Sequence, residues 1–247
     1  MEWDELSLGT VLKGMGQVDK TQAAAPRQLA FGERSRDREL VRFVGVHGAV
    51  AIEHVMSAIG VGRTAAYRRV ATCVEAGLLE RLSLLRGEPS LLRATRAGLR
   101  YAGLGLGVAV LSPGSVDHWL RCASMALVLG EEFGADRVLS ERELWHLERS
   151  EGRAIFSARV GELPSGAPRL HRPDLAILTD GLPIAVEVEL TPKAPRRLEG
   201  LIRSWRRASW VSGVRYYCEP ATRRGVERAI AKTHSAERIS VAEVVGR

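Results

Sequence analysis

Gly60-Val61-Gly62-Arg63-Thr64-Ala65-Ala66-Tyr67-Arg68-Arg69-Val70-Ala71-Thr72-Cys73-Val74-Glu75-Ala76-Gly77 is the stretch on which the reading of the first half turns. Ala66, Val70, Cys73 and Val74 recur at helical spacing and mark one buried face. Arg63, Thr64, Tyr67 and Arg68 fall outside that face, and Gly77 is placed as a helix stop. Upstream, Val50 to Ile59 predicts a second helix that ends at the Gly60-Val61-Gly62 turn, and Arg38-Glu39-Leu40-Val41-Arg42-Phe43-Val44 a helix before it. Downstream, Leu78 to Leu84 and Ser90 to Thr95 flank Arg86-Gly87-Glu88-Pro89, which predicts a β-hairpin. Thr95 to Tyr101 opens another helix.

Helix, helix, turn, helix, hairpin and helix is the order of a winged helix-turn-helix unit, expected over residues 36–104. The second helix of such a pair enters the major groove, and the hairpin touches backbone or minor groove. The expected DNA-binding residues are therefore Arg63, Thr64, Tyr67 and Arg68, with Arg69 flanking and Arg86 at the hairpin tip. From Arg36 to Arg100 there are eleven Arg against six acidic residues. Arg supplies a planar fork suited to guanine edges and phosphate. The expected partner is double-stranded DNA. Winged helices often work in pairs, so a homodimer stays open as the assembly state.

The whole chain fits that partner. Its 247 residues carry 36 Lys plus Arg against 29 Asp plus Glu, a net charge of +7. Cys73, Cys122 and Cys218 are far apart and form no CxxC pair, which excludes a zinc ribbon and suits a reducing, cytoplasmic setting. The acidic opening Met1-Glu2-Trp3-Asp4-Glu5 lacks a signal-peptide core, and the apolar stretch Ala102 to Ser112 is too short to span a bilayer, so no membrane is expected. Residues 1–35 lack periodicity and are expected to form a flexible N-terminal arm. The Gly- and Pro-bearing stretch Gly103 to Gly114 is the expected boundary to a second unit, residues 115–247.

That second unit is expected to be mixed α/β (α+β). Val116 to Phe133 predicts a long helix, Ala154 to Val160 a strand and Gly161 to Ala167 a loop. Leu175 to Leu178 and Ile184 to Leu190 predict two strands joined at Asp180-Gly181. A basic helix from Pro195 to Trp210, a strand at Val214 to Tyr217, a helix from Thr222 to Thr233 and a strand at Ile239 to Val244 complete an αβββαβ pattern with an added αβ. Alternation puts Glu187 and Glu189 on one strand face, and Val186, Val188 and Leu190 on the other. Asp174 begins the paired strand. Two or three carboxylates meeting there suit Mg²⁺, which prefers oxygen ligands and can activate water against a phosphodiester. The alternative is a polar cluster in which the two Glu pair with Arg196, Arg197 or Arg203. The basic helix itself interleaves Arg196, Arg197, Arg203, Arg206 and Arg207 with Trp205 and Trp210, a composition suited to a nucleic-acid backbone. His171, three residues before Asp174, is the one histidine near the acidic strands in sequence.

Pro173-Asp174 followed by Glu187-Val188-Glu189-Leu190-Thr191 resembles the PD-(D/E)xK nuclease fold over about residues 116–220. With the upstream winged helix, the whole resembles the replication-relaxation family of plasmid and mobile-element proteins. The resemblance implies metal ligation by Asp174 and Glu187. It implies a catalytic set of Asp174, Glu187, Glu189 and Lys193, with a further acid among Glu131, Glu132, Glu141 and Glu143. It departs where Lys is expected: Glu189 stands there, and Lys193 follows four residues later. The function it implies is a DNA-binding regulator or a replication or transfer accessory factor of a plasmid or integrated element. The alternative is a Mg²⁺-dependent endonuclease.

Overall fold

Local sequence closes the first helices before any long-range packing is invoked. In the computed structural model, which describes residues 31–83 and 90–245, α1 spans Phe31–His47, α2 Ile52–Ala58 and α3 Arg63–Glu75. Gly77 takes φ +68°, and the Leu78 N–H reaches back to the Cys73 carbonyl at 2.9 Å, which ends α3 as its sequence predicts. β1 (Leu79–Leu82) and β2 (Leu91–Ala94) pair antiparallel with Leu82 opposite Leu91, and Val50 adds a bridge to Leu92. Arg86 and the hairpin tip lie outside the described residues. Thr95 then caps α4 (Arg96–Tyr101) by accepting from the Gly98 N–H at 3.0 Å.

Two expectations about this half change. The arm expected over residues 1–35 falls mostly outside the described residues, but residues 31–35 already belong to α1. Their sequence, Phe31-Gly32-Glu33-Arg34-Ser35, carries no apolar period by which a helix could be predicted. The stretch after α4 also packs rather than merely linking: Leu104, Leu106 and Val108 lie against the core formed by Leu40, Val44, Val55, Val70, Leu79 and Leu99.

The rest of the chain is a mixed five-stranded sheet with helices on both faces. α5 (Val116–Phe133) leads through a 3₁₀ turn into β3 (Val138–Ser140) and α6 (Glu141–Glu151). A separate antiparallel ribbon follows, β4 (Ala158–Glu162) with β5 (Pro168–His171). The sheet resumes with β6 (Leu175–Ile177) and β7 (Ile184–Glu189), then α7 (Pro195–Arg207), β8 (Gly213–Cys218), α8 (Pro220–Lys232) and β9 (Ile239–Glu243). Its strand order is β3-β6-β7-β8-β9, antiparallel as far as β7 and parallel beyond it. The first strand of the sheet is thus the three-residue β3 and not the expected Ala154 to Val160 segment, whose last three residues enter the ribbon. A three-residue strand is too short to show a period.

α5 covers one face of the sheet, with Met125 and Leu129 on Leu175, Ile177 and Val186. α6 and α7 cover the other, with Leu144 and Leu147 on Leu139 and Ala176, and Ile202 and Trp205 beside Ala185 and Tyr216. Each such side chain contributes about 1.5–3 kcal/mol on burial. No described helix is long and apolar enough to cross a membrane.

α5 also grips the first half. Its Ala123 belongs to that core, and His54 Nε2 lies 3.0 Å from the Leu120 carbonyl and 2.9 Å from Ser124 Oγ. The Trp119 ring lies on Gly48, where an added Cβ would stand 1.8 Å from Cζ3 and the backbone holds φ +78°. Gly48→Ala is therefore expected to cost about 2–4 kcal/mol, from overpacking together with left-handed strain. Urea unfolding checks it; an unchanged midpoint would mean that Trp119 does not seat on Gly48.

Candidate functional site: a carboxylate–imidazole centre and a basic helix

The antiparallel register of β6 and β7 pairs Leu175 with Val186, so Asp174 and Glu187 stand at neighbouring strand positions. Val186 and Val188 turn to α5, while Glu187 and Glu189 turn to the opposite face, as the alternation predicts. All three acids are drawn into one neighbourhood, but each has its own partner.

Asp174 accepts the Val188 N–H through Oδ2 at 2.7 Å, and its Oδ1 lies 2.9 Å from His118 Nε2 on α5. Glu187, buried, accepts from His171 Nε2 at 2.8 Å and from the Trp205 indole N–H at 3.0 Å, both on Oε1. Glu189 forms an ion pair with Lys193. β7 stops at Glu189, which frees Lys193 to fold back. The alternative pairing with α7 arginines is not seen among the described residues: Arg203 binds Glu199 at 3.1 Å, and Arg196 and Arg197 are exposed. α7 buries its Leu198, Leu201, Ile202 and Trp205 face on the sheet and turns these arginines outward.

Of the four candidate helix acids, Glu141 is the one at this centre. Its N–H donates to the Asp174 carbonyl at 2.9 Å, and it shares a small cavity with His118, Cys122 and Asp174. Glu143 is spent on the capping box with Ser140, Glu132 faces Arg215 at 3.6 Å, and Glu131 is exposed. Tyr216, opposite Glu187 on β8, is fully buried, and its hydroxyl has no hydrogen-bond partner among the described residues. Sequence reasoning named Glu141 only as one of four acids, and missed His118, Cys122 and Tyr216. The signal available was the four-residue His118–Cys122 spacing, which puts both on one helix face.

Electrostatics follow from crowding. Burial raises Glu187 above its ordinary value, against the nearby His171. Burial and then Asp174 raise Glu141. The hydrogen bond to Asp174 raises His118, outweighing burial. Burial pulls His171 down, but the charge and hydrogen bond of Glu187 carry it above its ordinary value. Burial, then Asp174 and Glu141, push the Cys122 thiol well up.

The expected Mg²⁺ does not fit this arrangement. Mg²⁺ needs free oxygen ligands and an octahedral shell of waters. Here the ligand atoms that gather around Asp174 are the nitrogen of His118 and the sulfur of Cys122, not the oxygens of Glu187 and Glu189. Among the described residues, the metal-ligand atoms that lie within 4.8 Å of one another are those of His118, Cys122 and Asp174, without Glu187 or Glu189.

A second polar surface lies on α3. Arg63, Thr64, Tyr67 and Arg68 are exposed, while Ala66, Val70 and Cys73 are buried. Arg69 departs from its expected place, turning inward to bind buried Asp37 at 2.7 Å. Asp37 lies in the unpatterned start of α1, which gave no warning of the pair. Arg81, on β1, was not anticipated; its guanidinium lies 5.9 Å from the Tyr67 ring centre and extends the basic surface toward the hairpin.

No family model and no curated protein matches the chain. Among solved structures it is similar to an O-methyltransferase family 2 protein from Planctomyces limnophilus in complex with apigenin, at 14% identity and a TM-score of 0.20. The likeness covers 86% of this chain, and the chain spans only 61% of that protein's length. A superposition that loose supports no statement about fold or chemistry. The kinship with the replication-relaxation family drawn from Pro173-Asp174 and Glu187-Val188-Glu189 is corrected by these comparisons: they return a loose methyltransferase likeness and nothing of that family. Two acids at the facing ends of antiparallel strands are a local geometry that many sheets produce.

The imidazoles make this centre measurable. In an NMR histidine titration of the folded chain, His118 and His171 are expected to titrate above 6.5, the ordinary value, and His54 below it. Desolvation lowers half-buried His47 to about 3. A raised imidazole stabilises the fold fully below its unfolded pKa, and that contribution is lost as pH rises through the folded value. His118→Gln and His171→Gln should each shrink the loss of stability between slightly acidic and alkaline pH. An identical pH dependence in both variants would contradict the assigned pairs.

Proposed function

We propose that the chain is a double-stranded DNA-binding protein that reads the duplex through α3. The observation that carries this reading is the one-sided surface of α3 and β1: Arg63, Thr64, Tyr67 and Arg68 outward, Arg81 beside Tyr67, and Ala66, Val70, Cys73 and Val74 turned to the core or its rim. The element order α1, α2, turn, α3, hairpin, α4 supports a winged helix-turn-helix. The antiparallel β3-β6-β7 steps followed by a parallel β8 are compatible with a nuclease-like α/β scaffold behind it.

Exposed guanidinium groups at the start of a helix reach base edges and phosphates once the helix lies in the major groove. Arg63 holds Glu53 at 3.3 Å on the surface. Such exposed pairs contribute little and yield readily to a phosphate. The outward arginines of α7 add a further basic surface. The carboxylate centre, whose gathered ligand atoms include a nitrogen and a sulfur, supports DNA binding without Mg²⁺-dependent cleavage.

The variant pair Arg63→Ala with Arg68→Ala should weaken duplex binding by about 1–3 kcal/mol for each lost guanine contact. It should also flatten the salt dependence. Arg69→Ala should instead lower stability, by on the order of 3 kcal/mol, because it strands buried Asp37. Fluorescence anisotropy at fixed salt and thermal unfolding separate the two effects. Unchanged affinity in the double variant would remove α3 as the reading helix.

A further inference from the structure

We propose that His118, Cys122 and Asp174 form a binding site for a transition-metal ion of the zinc class. Residues from two separate elements converge to make it. α5 places His118 and Cys122 one turn apart on one face, and the turn before β6 supplies Asp174. The three donor atoms lie within 4.8 Å of one another, with Cys122 Sγ 3.5 Å from His118 Nε2. Tetrahedral zinc, with bonds of about 2.3 Å to sulfur and about 2.05 Å to nitrogen, puts those two ligands roughly 3.5 Å apart. The His118–Asp174 separation of 2.9 Å is that of a hydrogen bond. It needs to open by only roughly 0.4 Å to meet tetrahedral nitrogen–oxygen spacing.

The surroundings are those of a prepared ligand set. Asp174 is oriented by the Val188 N–H on Oδ2, which leaves Oδ1 directed at His118. Outer hydrogen bonds of this kind fix ligating carboxylates in place. A cavity of about 40 Å³ adjoins the three donors, with Glu141 and Trp119 on its wall. Thiolate and imidazole donors select zinc-class ions over Mg²⁺. With three protein ligands, the fourth position opens to this cavity for water beside the Glu141 carboxylate, the arrangement of an open rather than a closed zinc site. Binding releases the Cys122 thiol proton, and the His118 proton where one is present.

The test uses the full chain after chelator treatment. Equilibrium dialysis against low-micromolar Zn²⁺ should load one ion per chain. Co²⁺ should give a thiolate-to-cobalt charge-transfer band that Cys122→Ser abolishes and that His118→Asn and Asp174→Asn weaken. Because a variant can misfold, the decisive measurement is made on the unaltered protein. Zn²⁺ should slow alkylation of Cys122 severalfold by peptide mapping, and Mg²⁺ should not. Absence of bound zinc, a charge-transfer band that survives Cys122→Ser, or a Cys122 alkylation rate indifferent to Zn²⁺ would each overturn the assignment.

Discussion

One buried carboxylate anchors the approach to the whole centre. Glu148, near the end of α6, gathers the backbone N–H groups of Ile155, Phe156 and Ser157 at 3.2, 2.9 and 2.8 Å, the Ser157 hydroxyl at 2.7 Å and Arg172 Nε at 3.1 Å. A carboxylate so placed would be prohibitive without these donors, and the donors would be orphaned without it. The knot ties the end of α6 to the strand that starts the ribbon and to the residue after His171. It thereby holds the chain at Arg172, between His171, which meets Glu187, and Asp174, which meets His118. The sheet supplies the platform, and Glu148 determines where the incoming chain delivers its acid and its imidazole.

The centre solves a charge problem with nitrogen donors of graded strength. Asp174 and Glu187 each use an imidazole, while Glu189 uses an ammonium on the rim. Imidazoles allow the negative charge to be balanced near neutrality and released as pH rises, which a guanidinium would not. The fully buried Tyr216 hydroxyl beside Glu187 stays unsatisfied among the described residues, a cost tolerated within this dense polar group.

Much of the scaffold was legible because it repeats. The apolar spacing of α3, the Gly77 stop, the alternation of β7 and the two-faced α7 all appear close to their predicted bounds. β3 escaped because three residues carry no period. α6 escaped because its buried surface includes Glu143 and Glu148, acids that read as solvent-facing until their capping and backbone partners are seen. The site was half legible. Asp174 and Glu187 stood out as neighbouring acids, whereas His118 and Cys122 lie more than fifty residues upstream and meet Asp174 only through tertiary packing. The inward turn of Arg69 was hidden for the same reason, since Asp37 lies 32 positions away.

α5 has a mechanical consequence for the molecule. Its 18 residues form a rod roughly 27 Å long at the usual rise per residue. One portion is pinned to the first half by Trp119 on Gly48 and by His54 on Leu120 and Ser124; Met125 and Leu129 are pressed to the sheet. His118 sits on this same rod, with Cys122 one turn on. A tilt of a few degrees about the sheet end sweeps the far end through about 2 Å, simply from the length of the lever. The helix that brings His118 to Asp174 is therefore also the one against which α2 is held through His54, so a shift of α5 at Asp174 is felt at the seat of α2.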